Sequence, residues 1–332
     1  MPFPLIPLAI ILAAAAGAVG VGKAVSASKD NSRAKEINKE ATGIVEDAGR
    51  RMKAQVEQTK SALEKLGRLK HDVCETEVAD FLRCIEMIKN TRFDQSFNDG
   101  TFVDPEEIIQ DLTQLESFAA SLASGSAAGI AGGALAAFGA YSATMAFATA
   151  STGTAIGTLS GAAATNATLA WLGGGSLAAG GFGMAGGAAL LGGLVAGPAL
   201  LVMGLVSSSK ASANLDNARS NLAKAREISE QTDTACAQCR AISSQAEMFT
   251  ELLQRARSYF TPLVAGLESV IREEGDDWNE YSDSSKKAVC AAVAMAGTVT
   301  KILKTPILNK EGKPDENSGR IAQEVAKALP KA

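Results

Sequence analysis

The most constraining feature of this sequence is a run of 93 residues, from Ser117 to Ser209, that contains no Asp, Glu, Lys or Arg. The first 22 residues are also free of these charges, so every charged side chain lies in the rest of the chain. A uniform globular domain mixes charged and apolar residues throughout. The division argues against an ordinary two-domain soluble enzyme. The pI of about 5.3 argues against a general nucleic-acid binder.

Glycines in the charge-free run recur four residues apart. In a helix, residues i and i+4 share one face, where glycines leave room for the backbone of a neighbouring helix. In water each glycine would weaken a helix by about 0.5–1 kcal/mol relative to alanine, whereas lipid forces the backbone to form its own hydrogen bonds. Residues 117–209 are therefore predicted to be a membrane-inserting helical region. Its predicted helix-packing glycines, a glycine zipper, are Gly125, Gly129, Gly133, Gly153, Gly157, Gly161, Gly183, Gly187, Gly193 and Gly197.

Within this run the most apolar candidate span is Ala188–Val206, followed by Ala127–Ala148. The intervening stretch Thr152–Leu172 is polar for a span, and its side chains either line a pore or form hydrogen bonds inside a soluble helical core. Trp171 is predicted to anchor the region at a membrane interface. Two crossings, or four short ones, keep both charged flanks on the same side. The predicted pore-lining residues are Thr154, Thr158, Thr165, Asn166 and Thr168.

Residues 1–26 are predicted to form a hydrophobic anchor helix, since Pro4 to Val25 is an apolar run of roughly 20 residues, a length that suits a bilayer span. Lys23 lies near its carboxyl end, Lys29 and Arg33 follow it, and no Lys or Arg precedes Lys23. The positive-inside tendency then predicts an uncleaved membrane anchor, with the charged arms in the cytoplasm. A buried core helix is the alternative.

Two charged segments flank the charge-free run and carry apolar residues at steps of three and four. Residues 27–116 are predicted to form a helical arm and bundle, and residues 210–262 a second long arm that ends at Pro262. Two such arms around one apolar block predict an antiparallel, coiled-coil-like stalk. Residues 263–332 are predicted to add shorter helices, including one from Asp283 or Ser284 to Lys304 and one over Ser318–Leu329. The fold class is therefore all-α.

Motifs for chemistry are weak. Gly17 to Ala24 approaches a phosphate-binding loop but has Ala24 where Ser or Thr should hold magnesium, and Gly181 to Gly186 matches a dinucleotide fingerprint without the required strand or acidic residue. His71 is the only histidine. The C-x-x-C pair Cys236 and Cys239 is predicted to be buried and reduced on the helical seam. We predict no catalytic residues, cofactor, metal, nucleotide or nucleic acid.

The stretch Gly153–Gly187 resembles a group of bacterial Gly/Ala-rich, glycine-zipper membrane proteins to which no activity is assigned; its sequence is GTAIGTLSGAAATNATLAWLGGGSLAAGGFGMAGG. The resemblance extends to NSRAKEINKEA and TPILNKEGK. It implies a helical membrane architecture and a bacterial origin, and hence an anchor in the bacterial inner membrane. More remotely, the layout is similar to apolipoprotein-L-like and helical pore-forming proteins, in which charged arms flank an apolar hairpin. That similarity assigns no functional residue.

These observations predict a protein without enzymatic activity that inserts into a lipid bilayer and assembles as a homo-oligomer through its glycine faces. The first hypothesis is a pore-forming or membrane-perturbing effector of the toxin or defence type. The alternative is a resident membrane-anchored scaffold, whose cytoplasmic coiled-coil stalk binds a protein partner through the helical arms.

Overall fold

A computed structural model describes residues 26–91, 104–124, 135, 138–140, 215–308 and 314–330. Within these ranges the chain is helical apart from turns, with two isolated bridges, Lys89–Asp277 and Leu308–Pro314, and no strand. The predicted all-α class is confirmed. The described helices are α1 (Ser26–Val73), α2 (Ala79–Met87), α3 (Pro105–Ser124), α4 (Leu215–Glu274), α5 (Asp283–Lys304) and α6 (Ser318–Ala328).

The long helices α1 and α4 pack side by side because both place small or apolar residues at steps of three and four. Across the interface Asn38 contacts Asn221, and Met52 contacts Cys236. Arg83, in the following helix α2, contacts Glu268. From one pair to the next, the residue number increases on both sides of the interface. The helices α1 and α4 therefore run in the same direction. Buried seam residues include Ala41, Val45, Ala48 and Met52 in α1, and Cys236, Cys239, Ile242 and Ala246 in α4.

The prediction of antiparallel arms is therefore wrong in direction, although the arms and their seams are present. A seam with steps of three and four looks the same when the chain is reversed, so periodicity does not determine orientation. A short hairpin would force neighbouring helices to be antiparallel, but here a long connection separates them. Ala140 lies beside Gly139 at the level of Gly67, whereas Leu215 begins α4 at the opposite end.

Pro262 does not end the second long helix, as the sequence predicted; α4 continues to Glu274. A proline inside a helix removes one backbone hydrogen bond and costs about 3 kcal/mol. Phe260, Val264 and Leu267 lie on both sides of Pro262 and are buried in the core. Their burial offsets the cost and keeps the two halves of the helix continuous, so the predicted boundary at 262/263 lies inside one element.

A helical bundle surrounds the carboxyl half of α4. Asp104 caps α3 by accepting a hydrogen bond from the amide of Glu106, and Ser282 caps α5 by accepting one from the amide of Ser285. Arg255 donates to the carbonyl oxygens at the end of α6. The predicted helix to Lys304 is confirmed, and α6 ends one residue before the predicted Leu329.

No helix in the described ranges combines the length and apolarity required to cross a bilayer. Residues 1–25 of the predicted anchor lie outside the described residues, as do the candidate spans Ala188–Val206 and Thr152–Leu172. The beginning of the charge-free run is different: α3 extends through it to Ser124, with Phe118 buried. The described residues of the candidate span Ala127–Ala148 also lie in the protein core.

Candidate functional site: where the charge-free run meets the long helices

The charge-free run contacts α1 through two glycines, Gly67 and Gly139. A Cβ placed on Gly67 would lie 1.8 Å from the carbonyl oxygen of Leu135, and one placed on Gly139 would lie 2.1 Å from the carbonyl oxygen of Leu63. Each glycine follows a leucine by four residues, so the two segments meet in a nearly symmetrical way. Only a residue without a side chain permits this approach of two backbones.

Further contacts hold the same segment in place. The rings of Phe118 and Phe138 lie 5.4 Å apart between centroids, a distance typical of favourable aromatic pairs. The carbonyl oxygen of Ala140 accepts hydrogen bonds from the amides of Ile307, at 2.7 Å, and Leu308, at 3.1 Å. The start of the charge-free run is thus fastened to α1, to α3 and to the segment that follows α5. We call this set of contacts the glycine junction.

Lys70 lies one turn beyond Gly67 and is completely buried. Its Nζ atom donates to the carbonyl oxygen of Leu303 at 3.4 Å. Burial lowers the pKa of Lys70 from its ordinary 10.5 to about 7, although the nearby thiol of Cys74 acts in the opposite direction. Near neutral pH this amine therefore gains or loses a proton inside the protein.

Cys74 begins a π-helical turn, Cys74–Val78, that separates α1 from α2. Burial raises the pKa of its thiol from 9.0 to about 12, so the sulfur is protonated at neutral pH. π-turns inside helices often occur at functional sites. Here the turn also carries Glu77, whose carboxylate accepts hydrogen bonds from Arg257 at 2.8 Å and Thr261 at 3.1 Å on α4.

Electrostatic balance keeps Glu77 ionised despite its low exposure of 8%. Burial alone would raise the pKa of its carboxyl group, but hydrogen bonds from Thr76 and Arg257, with the charge of Arg257, lower it. His71, beside Lys70, is also buried, with Nε2 3.5 Å from Glu75 Oε1. The junction is therefore bordered by buried ionisable groups on one side and an apolar core on the other.

The sequence did not identify the residues of this junction. All ten predicted packing glycines, all five predicted pore-lining residues and Trp171 lie outside the described residues, so the structure does not bring them together or separate them. Gly67 and Gly139 were overlooked because neither belongs to a series of glycines spaced four apart. Both glycines follow a leucine by four residues, but this pattern also occurs elsewhere, for example at Leu169 to Gly173 and Leu200 to Gly204, so the sequence does not single them out.

The described residues contain no group of three or more His, Cys, Asp or Glu side chains that could hold a metal ion. No protein-family model, curated protein or solved structure matches this chain.

Proposed function

We propose that this protein is a membrane-inserting helical effector that perturbs or perforates a bilayer when its charge-free residues leave the charged helices that hold them. The observation that carries the proposal is the glycine junction, which docks the beginning of a 93-residue uncharged run on the charged helix α1. Docking of this kind shields apolar residues in water and can be exchanged for contacts with lipid.

The composition of the junction supports such an exchange. Leu135, Phe138, Gly139 and Ala140 carry no charge, so their transfer from the protein core to hydrocarbon leaves no ionised group to desolvate. Gly139, which packs against α1 in one state, can pack with the predicted glycine faces of other charge-free helices in the second state. We propose that several chains assemble through these faces, in a bacterial inner membrane, with the charged helices on the cytoplasmic side.

A Gly67→Ala variant tests the proposal, because its added Cβ would collide with the backbone of Leu135. Weaker docking should make the variant release dye from loaded lipid vesicles at a protein concentration several-fold lower than the wild type. The matched control is Gly43→Ala on the same helix, where nothing lies within 4 Å of the added Cβ. The control should leak like the wild type and be more stable by about 0.5–1 kcal/mol.

Circular dichroism of both variants distinguishes release of the charge-free segment from general unfolding, because a released segment leaves the helicity of α1 and α4 intact. A wild-type chain that leaves vesicles intact at every lipid composition, pH and protein concentration would contradict the proposal. Equal leakage by Gly67→Ala and wild-type protein would contradict the role of the junction.

The second candidate function is a membrane-anchored scaffold, and the pairing of α1 with α4 favours it. Asn221 donates a hydrogen bond to Asn38 at 3.0 Å, an arrangement that fixes register in parallel paired helices and suits a rigid stalk for a protein partner. Replacing Gly129 and Gly157 by Leu separates the two functions. Loss of leakage with membrane insertion intact supports a pore, whereas unchanged behaviour of the inserted protein supports a scaffold.

A further inference from the structure

Three sulfur-containing side chains belong to one buried cluster in the seam between α1 and α4. Met52 reaches across from α1, and Cys236 and Cys239 are one turn apart on the facing side of α4. The Sγ atom of Cys236 lies 3.8 Å from the Sδ atom of Met52. All three side chains are almost fully buried, with exposures of 2%, 4% and 0%. Methionine and cysteine can form such a contact simply as core residues, but this set also has the chemistry of a metal site.

We propose that Met52, Cys236 and Cys239 form a binding site for a soft monovalent metal ion of the Cu(I) type. Thiolate and thioether sulfur select Cu(I) over harder cations. Three sulfurs around one ion, each at a metal–sulfur distance of about 2.3 Å, lie about 4 Å from one another. The separation of 3.8 Å between Met52 Sδ and Cys236 Sγ meets this requirement for one pair of ligands, and Cys239, one turn along α4 in the same cluster, supplies the third sulfur.

The surroundings provide polar support for one ligand. The pKa of the Cys239 thiol is raised, chiefly by burial and also by the neighbouring Cys236, whereas Thr59 and the charge of Arg240 oppose the rise. Thr59 Oγ1 lies 3.1 Å from the backbone oxygen of Cys239, 2.9 Å from the backbone oxygen of Gln55 and 2.9 Å from Ser243 Oγ. Groups of this kind orient metal ligands and tune their basicity.

Binding would replace the two thiol protons of Cys236 and Cys239 by one Cu⁺ ion and release both protons, which leaves the site with one net negative charge, so affinity should increase with pH. Because the ligands belong to both long helices, the ion would tie α1 to α4. Met52 also explains why the C-x-x-C pair alone did not suggest a site: the third sulfur lies far away in sequence, and only the pairing of the helices brings it near. This inference does not depend on the proposed membrane activity.

Competition for Cu(I) tests the site. The reduced full-length chain, under anaerobic conditions, is titrated into the coloured complex of Cu(I) with bathocuproine disulfonate. We expect the wild type to withdraw one equivalent of Cu(I) and to unfold at a higher temperature with the ion bound. Cys236→Ser and Cys239→Ser should abolish both effects, whereas the matched control Cys84→Ser, whose thiol lies outside this seam, should retain them. Met52→Leu conserves side-chain volume and should weaken binding at least tenfold.

Two results would overturn the proposal. One is a wild-type chain that withdraws no Cu(I) from the complex. The other is withdrawal that is equal in the wild type and in the Cys236→Ser, Cys239→Ser double variant, which would place the ion on another cysteine. Circular dichroism of each variant before titration shows whether its helices are intact. If a serine variant unfolds, Met52→Leu still tests the site, because it keeps the core apolar.

Discussion

At the scale of single residues, burial lowers the pKa of Lys70. The side chain lies in the seam of α1, where Leu63, Leu66 and Val73 continue the same apolar face, and the end of α5 covers it at Leu303. The sequence shows Lys70 at a seam position, yet lysine is frequent along this arm. Only packing against α5, more than 200 residues away in sequence, distinguishes Lys70 from its exposed neighbours.

The lowered pKa of Lys70 makes stability depend on pH in a defined direction. The unfolded chain holds this proton more tightly than the folded chain, so the free energy of unfolding due to Lys70 rises with pH between about 7 and the ordinary 10.5. Cys74, whose pKa is raised from 9.0 to about 12, acts in the opposite direction above pH 9. The effect of Lys70 alone is therefore visible between pH 7 and 9.

Lys70→Met should flatten this dependence, because it removes the buried amine and keeps an unbranched apolar stem. We expect the slope of unfolding free energy against pH to fall by up to about 1.4 kcal/mol per pH unit in this window. Urea unfolding at pH 7, 8 and 9 measures the slope. The control Lys65→Met changes an exposed lysine of the same helix and should leave it unaltered. Identical slopes for wild type and Lys70→Met would show that Lys70 is not buried as described.

At the scale of elements, the sequence predicts helices better than it predicts their directions. Capping at Asp104 and the limits of α5 follow from local signals that need no partner. The direction of α1 relative to α4 depends on which residues face one another. Asn38 and Asn221 are amide side chains among mainly apolar seam residues, and their pairing is the available signal for parallel helices. Continuation of α4 through Pro262 likewise depends on burial that a local pattern does not show.

Breaking the asparagine pair tests the described register. Asn38→Val leaves the side chain of Asn221 without its partner, and we expect a loss of about 1–3 kcal/mol in unfolding free energy. Asn38→Val combined with Asn221→Val replaces both polar groups by apolar ones, and we expect it to recover or exceed wild-type stability.

Urea unfolding, with hydrogen exchange over the amino-terminal half of α1, provides the measurement. Glu36→Gln, an exposed change on the same turn, is the control and should alter stability by less than about 0.5 kcal/mol. Additive effects of the two asparagine substitutions would contradict a direct contact between these side chains.

At the scale of the whole molecule, the parallel helices give the charge-free run an unusual position in the topology. The described part of the charge-free run stops at Ala140, beside Gly67 on α1, and the described residues resume at Leu215, beyond the level of Asn38. These two points are about 50 Å apart along the helices, at 1.5 Å per residue. Composition identified the run, but only the three-dimensional contacts show that Ala140 and Leu215 lie towards opposite ends of α1.

Trp171 reports directly on whether the charge-free run enters lipid. It is one of two tryptophans in the chain, and the other, Trp278, is buried beside Tyr281 in the bundle. A Trp278→Phe variant keeps an aromatic ring in the bundle and leaves Trp171 as the only tryptophan. Its fluorescence is recorded as vesicles that contain brominated lipids are added. We predict a blue shift and strong quenching; emission that stays unquenched at every lipid composition, pH and protein concentration would contradict insertion of this run into the bilayer.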